Sequence, residues 1–299
     1  MCNFLSALIL PSGELICRPD LTDSHEDLIQ MVGLRDDGWG AFVRLEYRPP
    51  EDLDTLLDLD TWWFHVDQVD APDWFSPVLA EQKCREKIQR MIIAEDRDLL
   101  LGGCYIVAGD ARIKQVKNAR IAILAGSATV DVMRDSARVD VMHDSARVDL
   151  MYESARVIEM FGDASVGVMI GAARVEKMFG SAHVDRMHES AGVGMLYGDA
   201  RVGVMHESAR VDYMYNSARV RKMFGSARVD HMCDSARVDL TYESASVGRM
   251  IGDASVGRMH NSARVDQMTG DARVDLMRDR TEAPRAPAHD FRDQDQDQD

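Results

Sequence analysis

The sequence predicts a mainly β protein, a parallel β-solenoid of nonapeptide repeats with a small N-terminal α+β capping domain, on three observations. Residues 126–278 divide into seventeen consecutive nine-residue units with no insertion. Numbered 1 to 9, each unit has Ala at position 3 and Val at position 5, and position 8 is Met in all seventeen but two, where Leu196 and Thr241 stand. The Ala-x-Val alternation has the strand period of two, Val is β-branched, and Gly, Asp, Asn or Glu at position 1 supplies a turn between units. A helix of this period would turn about 900° per unit and leave no single apolar stripe.

Position 7 mixes Val, Leu, Glu, Lys, Arg, His and Gln. Inward–outward alternation must therefore break after Val, and Ala, Val and Met become the core rows. Nine residues form one side of a coil, which favours two units per turn over the alternative of three. Two degenerate units, GDARIKQV at 109–116 and KNARIAILA at 117–125, precede the regular ones and bring the count to nineteen. At roughly 4.8 Å between strands they make a rod on the order of 45 Å long. A single unit buries too little alone, so the stack is cooperative.

Residues 1–108 lack the period and form the expected cap, with 109–278 as the solenoid and 279–299 as a polar, disordered acidic tail ending DQDQDQD. Within the cap, Ser6 to Leu10 and Leu15 to Cys17 flank Pro11-Ser12-Gly13 as a hairpin. Asp23-Ser24-His25-Glu26 opens a helix ending near Gly33. Phe42 to Tyr47 and Trp62 to Val66 read as strands, Pro77 to about Ala94 as a second, amphipathic helix, and Leu99 to Val107 as a strand leading into the repeats. The cap is expected to protect one end of the rod.

The net charge is -16. Most of it lies outside the rod: residues 1–108 carry -12 and the tail -4, against -3 over 126–278. Five cysteines without C-x-x-C spacing fit a reducing compartment. No basic n-region precedes Pro11 and no apolar run approaches a membrane span, so the expectation is a cytoplasmic protein with no membrane partner.

The stretches MCNFLSALIL, TDSHEDL, FVRLE, Val66-Asp67 with Pro72-x-Trp74, and LLLGGCYIVAGDA, followed by A-x-V-x-x-M repeats, together resemble a group of bacterial and phage proteins. The resemblance covers nearly the whole chain. That group has no assigned activity, so the resemblance transfers no functional residue.

Position 4 is mostly Arg and position 6 mostly Asp. Two apart on a strand, both should point outward, where an Arg row beside an Asp row lets each neutralise the other. The same pairing blunts any field for phosphates, which argues against nucleic acid as a partner. Position 9 holds His143, Tyr152, Phe161, Phe179, Tyr197, Tyr215 and Phe224, among others, and predicts an aromatic ladder at one edge: a shield for the Met row, or a surface on which a flat or repetitive ligand stacks. Units ending in Phe or Ile are followed by Gly and units ending in His by Asp, Glu or Asn, which implies that positions 9 and 1 touch. The Met row is read as core filler rather than a soft Cu(I) site, and neither a metal nor a cofactor is expected.

Two catalytic readings attach to the cap. Asp23, His25 and Glu26, with Glu46 and Asp67, could form an acid–base site, although helix capping accounts for Asp23 and Glu26 more simply. Cys2 directly after Met1 is similar to the start of amidotransferases whose N-terminal cysteine is the nucleophile, over two residues only. The reading preferred is a non-enzymatic repeat scaffold that binds a protein partner. A DNA-mimicking inhibitor is the first alternative, and a hydrolase-like or N-terminal-Cys amidotransferase-like cap the second.

Overall fold

The computed structural model describes residues 5–35 and 40–278. Cys2 and the tail 279–299 lie outside the described residues.

The cap begins with an antiparallel sheet of β1 (Leu5–Ile9), β2 (Leu15–Ile16), β3 (Val43–Arg48) and β4 (Trp63–Val66), in the order β2-β1-β3-β4. Helix α1 (His25–Met31) starts one residue later than a cap at Asp23 would place it. Ser24 is the N-cap, accepting from the Asp27 amide, so Asp27 rather than Glu26 takes the third helical position. Helix α2 (Pro77–Met91) opens on Ser76 with Pro at its first position. It stops at Ile92 because Ile92–Ile93 (β5) pairs in parallel with Ile106 and Val107.

The rod therefore begins earlier than Gly109. Leu99 to Val107 is not one strand but two, β6 (Arg97–Leu101) and β7 (Cys104–Val107), broken at Gly102 and Gly103, both at positive φ. With β8 (Arg112–Lys117), β9 (Arg120–Leu124) and seventeen strands from β10 (Thr129–Arg134) to β26 (Arg273–Met277), they form two eleven-stranded parallel sheets. Strands alternate between the sheets, and pairing runs from each residue to the one eighteen positions on, as in Val139↔Val157 and Met142↔Met160. Two units thus make one coil.

Each corner is built from positions 9, 1, 2 and 3. Position 1 has φ between 56° and 76° in all seventeen units. This left-handed region costs a residue with a Cβ about 1–2 kcal/mol, which explains the Gly and Asn found there. The acids at position 1 offset that cost by accepting the backbone amide of position 1 one coil earlier: Glu153 from Asp135 at 2.7 Å, Asp144 from Gly126 at 3.0 Å, Glu243 from Gly225 at 2.6 Å. The turn closes when the amide of position 3 donates to the carbonyl of position 9, as Ala146 does to His143. Ladder bonds continue through the corner, with Arg147 donating to the Ala128 carbonyl and Tyr152 to that of Met133.

Ala, Val and Met fill the interior as expected. Ala137, Val139 and Met142 have no exposed surface, and this holds coil after coil to Met259. Arg138 is exposed, Asp140 and Val141 half-buried, so alternation breaks between positions 6 and 7 and the register skips position 6. The cap does not merely close an end: its core, with Leu5, Tyr47, Cys84 and Ile88, is continuous with Ile106, Ala122, Ile123 and Ala125. Ala122, Ile123 and Ala125 stand where later coils carry charged or half-exposed residues, which leaves an apolar flank on the first coils to receive it.

Thr241 is the one polar residue in the Met row. It has no exposed surface, and its hydroxyl has no hydrogen-bond partner. Thr241→Met should remove an unsatisfied polar group and fill the space between Met223 and Met259, raising stability by about 1–3 kcal/mol in chemical denaturation. Deleting residues 144–161, one full coil, should leave a folded, shorter rod by circular dichroism, whereas deleting thirteen residues from the same start should not, because thirteen is not a multiple of the nine-residue unit and breaks the register of the core rows.

Candidate functional site

Of the cap candidates, His25 and Asp67 come together. His25 is almost wholly buried; its Nε2 donates to the Leu45 carbonyl at 2.9 Å and its Nδ1 lies 3.3 Å from the Asp67 carboxylate. The ring clips α1 onto β3 and the segment after β4. Asp23 contributes its backbone carbonyl, which accepts from the Ser6 hydroxyl, while Glu26 accepts from Ser24 and Glu46 pairs with Arg48. The anticipated group is thus not one centre. Burial pushes the Cys84 thiol up to about 12 and that of Cys104 up to about 11, well above the range in which a thiolate is available for chemistry.

The rod carries the ordered surface features. The single expected aromatic ladder is two, because two units per coil send successive position-9 side chains to opposite edges. One edge stacks His143, Phe161, Phe179, Tyr197 and Tyr215, with Phe161–Phe179, Phe179–Tyr197 and Tyr197–Tyr215 centroids 4.9, 5.1 and 5.0 Å apart and planes within 7°. The other runs His188, His206, Phe224, Tyr242 and His260 at 4.9–5.1 Å. Tyr152 and Phe224 therefore belong to this second edge, and Ile170 separates Tyr152 from the stacked part. Strand spacing fixes the ring separation at a stacking distance, and every ring is half-buried. The expected contact between positions 9 and 1 occurs at His143, whose Nδ1 is 2.6 Å from the Asp144 carboxylate. After His206, however, Glu207 turns to the backbone and accepts the Glu189 amide.

The Arg and Asp rows pair as expected, in a pattern richer than neighbours on one strand. An Arg meets the acid two residues on, as Arg147 meets Asp149 at 2.6 Å, or twenty on, as Arg219 meets Asp239 at 2.7 Å. A third route spans thirty-eight residues: Arg174 reaches Asp212 at 2.7 Å, Arg228 reaches Asp266 at 3.1 Å and Arg237 reaches Asp275 at 3.2 Å. Each of these crosses a whole coil, which is possible because the coil beneath reads Gly192-Val-Gly194, Ser246-Val-Gly248 or Ser255-Val-Gly257. A Cβ on Gly248 would stand 2.7 Å from Arg228 Nη2, and one on Gly257 2.9 Å from Arg237 Nη2. The Ser hydroxyls accept in passing, Ser246 from Arg228 and Ser255 from Arg237, both at 3.1 Å. The sequence signal was available: each such small-Val-Gly unit follows an Arg-Val-acid unit by eighteen residues and precedes an Asp at position 6 by the same interval.

Among the described residues no group of three or more His, Cys, Asp or Glu is placed to hold a metal ion, and no helix is long and apolar enough to cross a membrane. The Met thioethers of the row lie inside the core as far as Met259. The fold and these surfaces define a two-sided parallel β-solenoid with paired charge rows and two aromatic edges. Comparison with protein-family models, curated proteins and solved structures finds no match to this chain.

Gly248→Ala places a methyl group against both the Asp230 carbonyl at 2.6 Å and the Arg228 guanidinium. The expected cost is about 1–3 kcal/mol in thermal or chemical denaturation. A double cycle with Asp266→Asn should show that part of this cost is the lost bridge.

Proposed function

We propose that this protein is a non-enzymatic repeat scaffold that binds a protein partner along the rod. The observation that carries this reading is the pair of aromatic ladders, half-buried rings held in register over several coils. Aromatic side chains are enriched at protein interfaces, and here the backbone has already ordered them, so little conformational freedom is lost on contact. The remainder of the rod supports the same reading. Its interior is closed by packing, and most of its arginines are engaged by acids of the same face.

That pairing also weighs against a DNA mimic, which needs contiguous negative potential; the rod carries only -3 over 126–278. Commitment of His25 to a carbonyl and a carboxylate inside the cap weighs against a hydrolase-like centre there.

The test uses the full chain as bait in lysate of its native host, beside a variant with Phe161, Phe179 and Tyr197 changed to Ala. A binding edge predicts a stoichiometric protein partner retained by the wild type and lost by the variant, with the variant still folded by circular dichroism. A purely structural edge predicts a lowered melting temperature with the partner still captured, and that result would remove the ladder from the proposal.

A further inference from the structure

One of the seventeen regular repeats of the rod contains no acid at all. The unit 216–224 carries Arg219, Arg221 and Lys222 and no acid, with Arg221 at the position that Asp usually holds. Its effect falls on Arg201, one coil earlier. Two residues on from Arg201 is Gly203; twenty on is Arg221; thirty-eight on is Asp239, already held by Arg219 at 2.7 Å and by Arg237 at 3.1 Å. All three routes by which an arginine of this rod finds a carboxylate are closed. Arg186 lies on the adjacent strand and pairs in register with Val204, which in turn pairs with Lys222.

Arg186, Arg201 and Arg221 line one cavity of about 680 Å³. Two acids also line it, Asp149 and Asp185, and Arg147 lies 2.6 Å from the first and 3.8 Å from the second. Among the described residues, none of Arg186, Arg201 and Arg221 has a carboxylate within ion-pair distance. His183 lines the same space, with its Nδ1 buried and without a partner. Burial, opposed by Asp185 and reinforced by Arg201, holds the imidazole below its usual range and so neutral at pH 7, able to donate one N–H without adding charge. The cavity of about 840 Å³ on the opposite face is a natural control: Arg174, Arg210 and Arg228 are there paired with Asp212, Asp230 and Asp266, and only Arg249 is left over.

We propose that the cavity around Arg186, Arg201 and Arg221 is a binding site for a small phosphate-bearing molecule. Guanidinium groups present paired N–H donors that match phosphate oxygens. Strands roughly 4.8 Å apart bring those of three consecutive coils to a single anionic group. The site stands apart from the aromatic edges and does not depend on a partner binding there.

The probe is pyrophosphate, titrated into the full chain by calorimetry at fixed ionic strength. Arg221→Asp restores the residue common at position 6 and gives Arg201 a carboxylate, so folding should be retained. Arg201→Ser uses a residue already found at position 4 and serves as the second variant. The wild type should bind saturably at one site, both variants should lose at least about tenfold in affinity, and Arg249→Ala on the opposite face should bind as the wild type does. Absence of saturable binding in the wild type would overturn the proposal. So would equal weakening by Arg249→Ala and Arg221→Asp, since the effect would then be one of overall charge.

Discussion

Everything in the rod depends on the parallel backbone register that sets each residue beside the one eighteen positions on. The hydrogen bonds that hold it run through the strands and around the corners, where Arg147 donates to Ala128 and Tyr152 to Met133. Because no residue is inserted between 126 and 278, each row of side chains meets only its own kind. For Ala, Val and Met that is an advantage, since identical shapes repeat at one spacing and pack closely. For aromatic rings it imposes stacking at the strand separation. For charged side chains it would impose repulsion.

The repulsion is resolved along diagonals. An arginine does not stay level with its own row but leans to an acid two, twenty or thirty-eight residues on, and the longest of these routes requires the intervening coil to give up its side chains. Small residues at Gly248 and Gly257 are thus not weaknesses in the strand but passages for a guanidinium. Individual exposed ion pairs contribute little. Their collective role is to let a face dense in arginine exist beside itself.

Much of this was legible in the sequence. The invariance of Ala and Val and the near-invariance of Met gave the core, and the mixed residues at position 7 told where alternation breaks, as the half-buried Asp140 and Val141 bear out. Two features are hidden in the sequence for the same physical reason, that consecutive units belong to different sheets and do not meet. Units nine apart lie on opposite faces, so Tyr152 and Phe161 never share an edge, and the rule linking Arg228, Gly248 and Asp266 shows only at a spacing of eighteen. The start of the rod was hidden differently. Ile92, Ile93 and Arg97–Leu101 join the sheets by pairing with later strands while lacking the repeat pattern. In the cap, the composition around His25 suggested chemistry because a buried imidazole holding two elements together uses the same residue types as an acid–base pair.

The alternation of faces has a consequence for how such a gene can change. Tandem repeats gain and lose units by slippage during replication, and a step of eighteen codons would lengthen or shorten this rod while leaving every later residue on its own side. A step of nine codons encodes an equally acceptable unit and keeps every Ala, Val and Met inside. It nevertheless moves all downstream residues to the other face, joining the front half of one ladder to the back half of the other and setting arginines over acids they were never matched with. Parity in the number of units, rather than composition or length, therefore decides which residues share a face.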